Sequence, residues 1–378
     1  MPFFAIDVDA IERNLTVLRG VMDRTDCRIL LAQKCFSCYG LYPLFSQYLC
    51  GATASGLFEA CLCREEWPGG ENHIFSPAYR EADMDKILQT CDHIVFNSPR
   101  QYQLYARRAK EAGLQVGLRI NPECSTQEGH AIYDPCAPGS RLGTPLSVFQ
   151  QYPAETWHLL DGLHFHTLCE QNADALAVTL ECVEAKFGDM LPQMKWINFG
   201  GGHHITRPDY DIPLLEQCIG RMKQRYGLTV YLEPGEAVAL NAGELHCNIL
   251  EIQPAGTDGI SNVIVDTSAA CHMPDVIEMP YTPPLFGADP VNADDPQEGG
   301  YVYRLGGPTC LSGDVIGTYR FQHRLSEGEE LVFGDMAIYS MVKTNTFNGM
   351  PLPDIYLRRG SSIKLWKRFG YADFKSRV

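Results

Sequence analysis

No apolar run in these 378 residues approaches the roughly twenty that a bilayer-spanning helix requires, so no membrane span is expected. The opening Met1-Pro2-Phe3-Phe4-Ala5-Ile6-Asp7 has no basic stretch leading into a long apolar one, and no secretory leader is expected either. Positive charge is in short supply: 31 Lys and Arg stand against 46 Asp and Glu, for a formal charge of -15. Nucleic acid needs a basic surface to displace its counterions, so that partner is excluded. An acidic protein attracts cationic ligands instead, although acidity is also the ordinary state of soluble enzymes. No internal repeat and no low-complexity tail is visible.

Paired cysteine motifs are missing too. The 15 cysteines are scattered; Cys61-Leu62-Cys63 has the wrong spacing for a zinc knuckle, and Cys35 and Cys38 have no facing pair. No metal is expected, and free thiols in a reducing cytosol predict a cytoplasmic protein.

What is present is a βα rhythm. Apolar runs at 28–32, 52–54, 73–75, 93–96, 116–120, 162–165, 196–199 and 229–232 read as strands, separated by amphipathic helices such as 84–90, 99–112, 172–187 and 214–226. Asp9 through Glu12 reads as a capping box for the first helix. Eight strands in this order predict an α/β architecture, a (β/α)8 TIM-like barrel over 10–242 with its site at the C-terminal strand ends. Beyond it, strands at 247–252, 262–266, 301–305, 315–321, 330–332 and 355–357 with Gly, Pro and Asp turns predict an antiparallel β domain. That domain takes in 243–378 and residues 1–9. The span 283–300, rich in Pro, Asp and Asn, reads as an exposed loop.

Several motifs fall at the ends of those strands. Lys34 follows the first barrel strand, where an amine can condense with an aldehyde cofactor. Gly200-Gly201-Gly202 reads as a strand-to-helix junction whose amides and helix dipole would favour a phosphate. The carboxylate of Glu233, in Glu233-Pro234-Gly235-Glu236, could hydrogen-bond a protonated pyridine nitrogen. In His164-Phe165-His166 alternation sends both imidazoles to one face, His166 suiting a ring-stacking role and His164 a core one. Arg119 is a charge inside an apolar strand and needs a polar partner. Farther on, Cys310 and Asp314 in Gly306-Gly307-Pro308-Thr309-Cys310-Leu311-Ser312-Gly313-Asp314 combine a proton donor with an amine anchor. Tyr339 offers a phosphate donor, and Phe347-Asn348-Gly349 follows it.

In this order the motifs resemble the fold-type III pyridoxal-phosphate decarboxylases, which share a barrel with alanine racemase and a second domain with ornithine and diaminopimelate decarboxylases. The resemblance implies that Lys34 carries pyridoxal 5'-phosphate, that His166 stacks on its ring, and that Gly200, Gly201, Gly202, Arg119 and Tyr339 help bind it. It further implies that Glu233 pairs with the pyridinium and that Cys310 reprotonates the product, reaching with Asp314 across a homodimer interface. Where ornithine and diaminopimelate decarboxylases follow Glu-Pro-Gly with arginine, this chain has Glu236, which suits a polycationic small-molecule substrate. Gln33-Lys34-Cys35-Phe36 and the segment from Asp266 through Asp275 to Tyr281 are similar to the carboxynorspermidine/carboxyspermidine decarboxylases. That resemblance implies decarboxylation to spermidine or norspermidine in polyamine biosynthesis, with Glu236, Asp275 and Asp314 as substrate contacts. The alternative is another decarboxylase of this fold, acting on ornithine, arginine or diaminopimelate; a racemase, a cofactor carrier and an antizyme-like inhibitor fit the residues less well.

Overall fold

In the computed structural model, residues 1–127, 133–291 and 299–378 are described. The chain forms two compact units, residues 13–238 and residues 1–12 with 239–378. The strands, in chain order, are β1 (Phe3–Asp7), β2 (Arg28–Ala32), β3 (Gly51–Ala54), β4 (Glu71–Phe75), β5 (His93–Phe96), β6 (Gln115–Asn121), β7 (Thr144–Pro145), β8 (Gly162–His164), β9 (Trp196–Asn198) and β10 (Thr229–Leu232). β11 (Gly243–Ile252), β12 (Ser261–Val265), β13 (Ala288–Pro290), β14 (Tyr301–Gly306), β15 (Val315–Phe321), β16 (Glu330–Gly334), β17 (Asp354–Arg359) and β18 (Ser362–Lys367) follow.

In the first unit, β5-β4-β3-β2-β10-β9-β8-β6 are hydrogen-bonded in that order, and a β5–β6 pairing closes the ring. All these pairings are parallel. The expected eight-stranded barrel is present. Its strands are buried almost throughout because a parallel sheet ringed by helices is covered on both faces. Leu30, Val95, Trp196 and Tyr231 pack as one buried cluster, each such side chain contributing roughly 1.5–3 kcal/mol by leaving water.

Helix starts follow local chemistry. Ser98 caps Pro99–Glu111 by accepting from the Gln101 N–H, and Asp211 caps Ile212–Tyr226 by accepting from Leu214. The first helix runs Val8–Thr25 and begins earlier than its expected capping box at Asp9. Asp7 is the residue that accepts from the Ala10 N–H, at 2.9 Å. No helix among the described residues is long and apolar enough to cross a membrane.

The second unit is a nine-stranded sheet, β13-β15-β14-β12-β11-β1-β17-β18 with β16 on β11. It is mixed rather than purely antiparallel: β1 runs parallel to β17, and β12 to β14. The span 283–300 holds the short strand β13, and its residues 292–298 lie outside the described residues.

Candidate active site

Lys34 is set by the turn that ends β2. The side-chain oxygen of buried Gln33 accepts from the Tyr42 hydroxyl at 2.9 Å, and the Cys35 N–H donates to the Ala32 carbonyl. These anchors aim Lys34 into a cavity of about 200 Å³ that Arg119, His164, His166, Glu233 and Phe75 also line. The Lys34 side chain is open to that cavity yet has protein around it. Enclosure, and then the Arg119 guanidinium, push its ammonium below the usual lysine range. A neutral amine is the form that attacks a carbonyl carbon.

Gly235 explains how the Glu-Pro-Gly turn reaches this strand. A Cβ there would sit 2.4 Å from the Cys35 Cβ, so only glycine admits the approach. Glu233 is thereby brought to the cavity, 7% exposed. It accepts from the Asn198 side-chain amide at 2.8 Å and from His164 Nε2 at 3.3 Å. Burial by itself would raise this carboxyl; the His164 imidazole, His73 and the Asn198 hydrogen bond outweigh it and hold the group at about 2. His164 is pushed below the ordinary histidine value by burial, although Glu233 opposes the shift, so a neutral ring donating its Nε2–H fits the geometry.

His166 accepts the Gly201 N–H at Nδ1 (3.0 Å), which places its proton on Nε2. Burial, then Lys34 and Arg119, keep it neutral. Arg119 donates to the His166 carbonyl at 3.1 Å and lies 4.6 Å from the Phe75 ring centre. Burial pushes its guanidinium down to about 10, which leaves it charged at neutral pH.

The glycine triplet departs from expectation. Gly200 and Gly202 have φ of 71° and 81°, the left-handed region glycine takes without strain. No helix follows them directly, because the next one begins at Ile212. Two of the three amides are also engaged: Gly200 donates to the Asn198 side-chain oxygen at 2.8 Å and Gly201 to His166. Gly202 takes part in neither bond. Sequence reasoning missed two residues here, Asn198, a buried polar residue in a strand, and His204. His204 Nε2 lies 3.2 Å from Glu236 Oε2.

The remaining candidates belong to the second unit. The exposed Cys310 is held by its N–H, which donates to the Asn348 side-chain oxygen at 2.7 Å, so the cysteine loop and Phe347-Asn348-Gly349 meet. Asn348 and Tyr339 both have left-handed backbone, φ 55° and 53°. Asp314 is buried and accepts from Ser268, Thr309 and the Ala270 N–H. Asp275 pairs with the Lys343 ammonium, which also reaches Glu278 at 2.6 Å.

As for metals, Glu71, His73 and His93 place one ligand atom each within 4.8 Å of the others. The two rings stack 3.8 Å apart at 11°, so their in-plane lone pairs run side by side rather than converge, and Glu71 is ion-paired with Arg28.

The barrel residues suit pyridoxal phosphate on their own chemistry. A low-pKa carboxylate calls for a cationic partner, and an enclosed amine is primed for an aldehyde.

Known proteins agree. A Synechocystis sp. protein named carboxyaminopropylagmatine decarboxylase is 38% identical over all of this chain and 95% of its own length. A Campylobacter jejuni carboxynorspermidine/carboxyspermidine decarboxylase is also 38% identical, covering all of this chain and 98% of the relative. The crystal structure of carboxynorspermidine decarboxylase with norspermidine from Campylobacter jejuni superposes with a TM-score of 0.90 at 36% identity, over the whole of both chains. Diaminopimelate decarboxylase from Helicobacter pylori, at 16% identity and a TM-score of 0.82, shares the fold. The family described as pyridoxal-dependent decarboxylase, C-terminal sheet domain, matches residues 3–337. With that match and full-length relatives above 30% identity, the chain belongs to the pyridoxal-phosphate-dependent decarboxylases.

Proposed function

We propose that the protein removes the α-carboxylate of carboxynorspermidine or carboxyspermidine, releasing carbon dioxide and the triamine, as a step of polyamine biosynthesis. The observation that carries this reading is the end-to-end likeness to relatives named for that reaction, 38% and 34% identical. A diaminopimelate decarboxylase of Deinococcus radiodurans is 22% identical.

Pyridoxal phosphate, when bound, supplies an electron sink for the pair left behind by the departing carbon dioxide. The protein's residues do the rest. Lys34 would provide the amine that holds the cofactor's aldehyde. Glu233, ionised at neutral pH, would hold a proton at the pyridine nitrogen. His166 would stack on the ring, and Arg119 fixes His166 through its carbonyl. Gly200, Gly201, Gly202 and Tyr339 would line the phosphate position. Cys310 Sγ delivers the proton that replaces the carboxylate. Glu236 and Asp275 face the distal nitrogens of the substrate, each charge-assisted contact contributing roughly 1.5–3 kcal/mol. Asp314, whose oxygens take three donors nearby, shapes the loop that presents Cys310.

We read the active unit as a homodimer in the cytoplasm, with Cys310 and Asp314 completing the partner's site; fifteen free thiols fit a reducing compartment. Mixing inactive Lys34→Ala and Cys310→Ala chains tests the shared site. Recovery of about a quarter of wild-type activity is expected from random pairing, and no recovery contradicts it.

A second reading has its own support in the Synechocystis relative, 38% identical, whose named substrate is a carboxylated agmatine. The tail is then a guanidinium instead of an ammonium. Competition between carboxynorspermidine and carboxyaminopropylagmatine in a carbon dioxide release assay separates the two. A kcat/KM ratio above about tenfold, worth 1.4 kcal/mol, in favour of either identifies the substrate.

A further inference from the structure

The phosphate cradle of the barrel lacks positive charge from its backbone. No helix N-terminus follows the glycine triplet, and the Gly200 and Gly201 amides already donate to Asn198 and His166. The side-chain cations nearby are engaged elsewhere. Arg119 lies over Phe75, and Arg207 Nε donates to Asp209 at 2.6 Å. Glu236 adds a carboxylate. A phosphate dianion beside an unbalanced buried carboxylate is an unfavourable arrangement, so a counter-cation is required.

His204 meets that requirement. It stands two residues past Gly202 and is 7% exposed. Its Nε2 lies 3.2 Å from Glu236 Oε2, whereas Nδ1 has no hydrogen-bond partner among the described residues. A buried imidazole with Nδ1 unspent, two residues past the glycine triplet, is a donor in search of an acceptor. We propose that His204 is a ligand of the cofactor phosphate, held in place by Glu236 and supplying the cation that the glycine amides do not.

The charged groups facing His204 are consistent with an imidazolium. Burial pushes the ring down, but Glu236 and then Glu170 outweigh burial and the opposing Arg207, so His204 titrates above an ordinary histidine. Glu236 on this view orients and charges His204 with one oxygen, whatever its other oxygen does for substrate. The inference rests on pyridoxal phosphate as cofactor and is independent of which substrate is turned over.

The test is cofactor affinity measured directly, by fluorescence titration of the full-length apoprotein with pyridoxal phosphate and with pyridoxal, which has no phosphate. His204→Gln is expected to weaken pyridoxal phosphate by about tenfold or more and pyridoxal by less than about twofold, with His204→Lys recovering most of the difference. Glu236→Gln should make pyridoxal phosphate affinity fall more steeply than in the wild type between about pH 6 and 8, as the imidazolium is lost. Equal losses for the two ligands, or unchanged phosphate affinity in both His204→Gln and Glu236→Gln, would overturn the proposal. Failure of the wild type to bind either ligand would sink the cofactor assignment itself.

Discussion

Replacing Glu233 with glutamine preserves the shape of the side chain and removes its charge, which makes it the sharpest probe of the barrel site. The carboxyl is held at about 2 against an ordinary 4.5. At 1.36 kcal/mol per tenfold, that difference is about 3 kcal/mol of preference for the ionised form. Two consequences follow. Because the folded value lies below the unfolded one, the stabilisation is complete above about pH 4.5 and drains away as pH falls toward 2. Urea midpoints of the wild-type apoprotein should therefore drop in this window, while those of Glu233→Gln, lacking this group, should drop less. In the holoenzyme, a neutral partner no longer holds the pyridine nitrogen protonated. Loss of that proton is expected to lower kcat by about 100-fold, or roughly 2.7 kcal/mol in the barrier, with the visible band of bound cofactor retained. A Glu233→Gln enzyme within threefold of wild-type kcat would refute the assignment of Glu233 to the ring nitrogen.

Other expectations follow from contacts in the second unit. Asn348→Ala removes the acceptor for the Cys310 N–H and replaces asparagine at φ 55° by a residue that tolerates the left-handed region less well; roughly 1–2 kcal/mol of local stability and about tenfold in kcat should go with it, whereas Asn348→Asp should stay near wild type. Steady-state kinetics on both variants decide this, and equal losses would show that the Asn348 contact does not position the thiol. Lys343→Met frees Asp275 and Glu278 from their internal cation. If Asp275 receives a substrate ammonium, KM should fall by about threefold, or 0.65 kcal/mol, with kcat little changed; a rise in KM would speak against that role. Glu236→Arg should lower kcat/KM for the carboxylated triamine by at least about tenfold, and an unchanged value would remove Glu236 from recognition.

The barrel was legible in the sequence because most of its strands are built round a few consecutive apolar residues, so Arg28–Ala32 or His93–Phe96 stands out against its flanks. β1 was harder to see, since Phe3–Asp7 pairs with residues more than two hundred positions away and carries no local turn signal. β18 (Ser362–Lys367) is half polar and lies at the sheet edge, and β13 is three residues long. The parallel β1–β17 and β12–β14 pairings depend on crossovers that periodicity does not encode. Within the site, Lys34, His166 and Glu233 could be named because each ends a strand at the same mouth of the barrel. His204 could not, because its significance comes from lying 3.2 Å from a carboxylate thirty-two residues later, in a loop without periodicity. The helix dipole expected at the glycine triplet was a local rule overridden by an irregular loop running to Ile212. The internal partners of Asp275 and Asp314 likewise come from residues brought close only by folding.

The central claim is decarboxylation of a carboxylated polyamine. Carbon dioxide release by the purified holoenzyme, measured side by side with carboxynorspermidine, carboxyspermidine, ornithine and diaminopimelate and with the amine product identified by mass, tests it most directly. The account predicts kcat/KM for a carboxylated triamine at least about a hundredfold above that for ornithine or diaminopimelate, a difference of about 2.7 kcal/mol. Preferential turnover of ornithine or diaminopimelate, or no carbon dioxide from either carboxylated triamine, would contradict it.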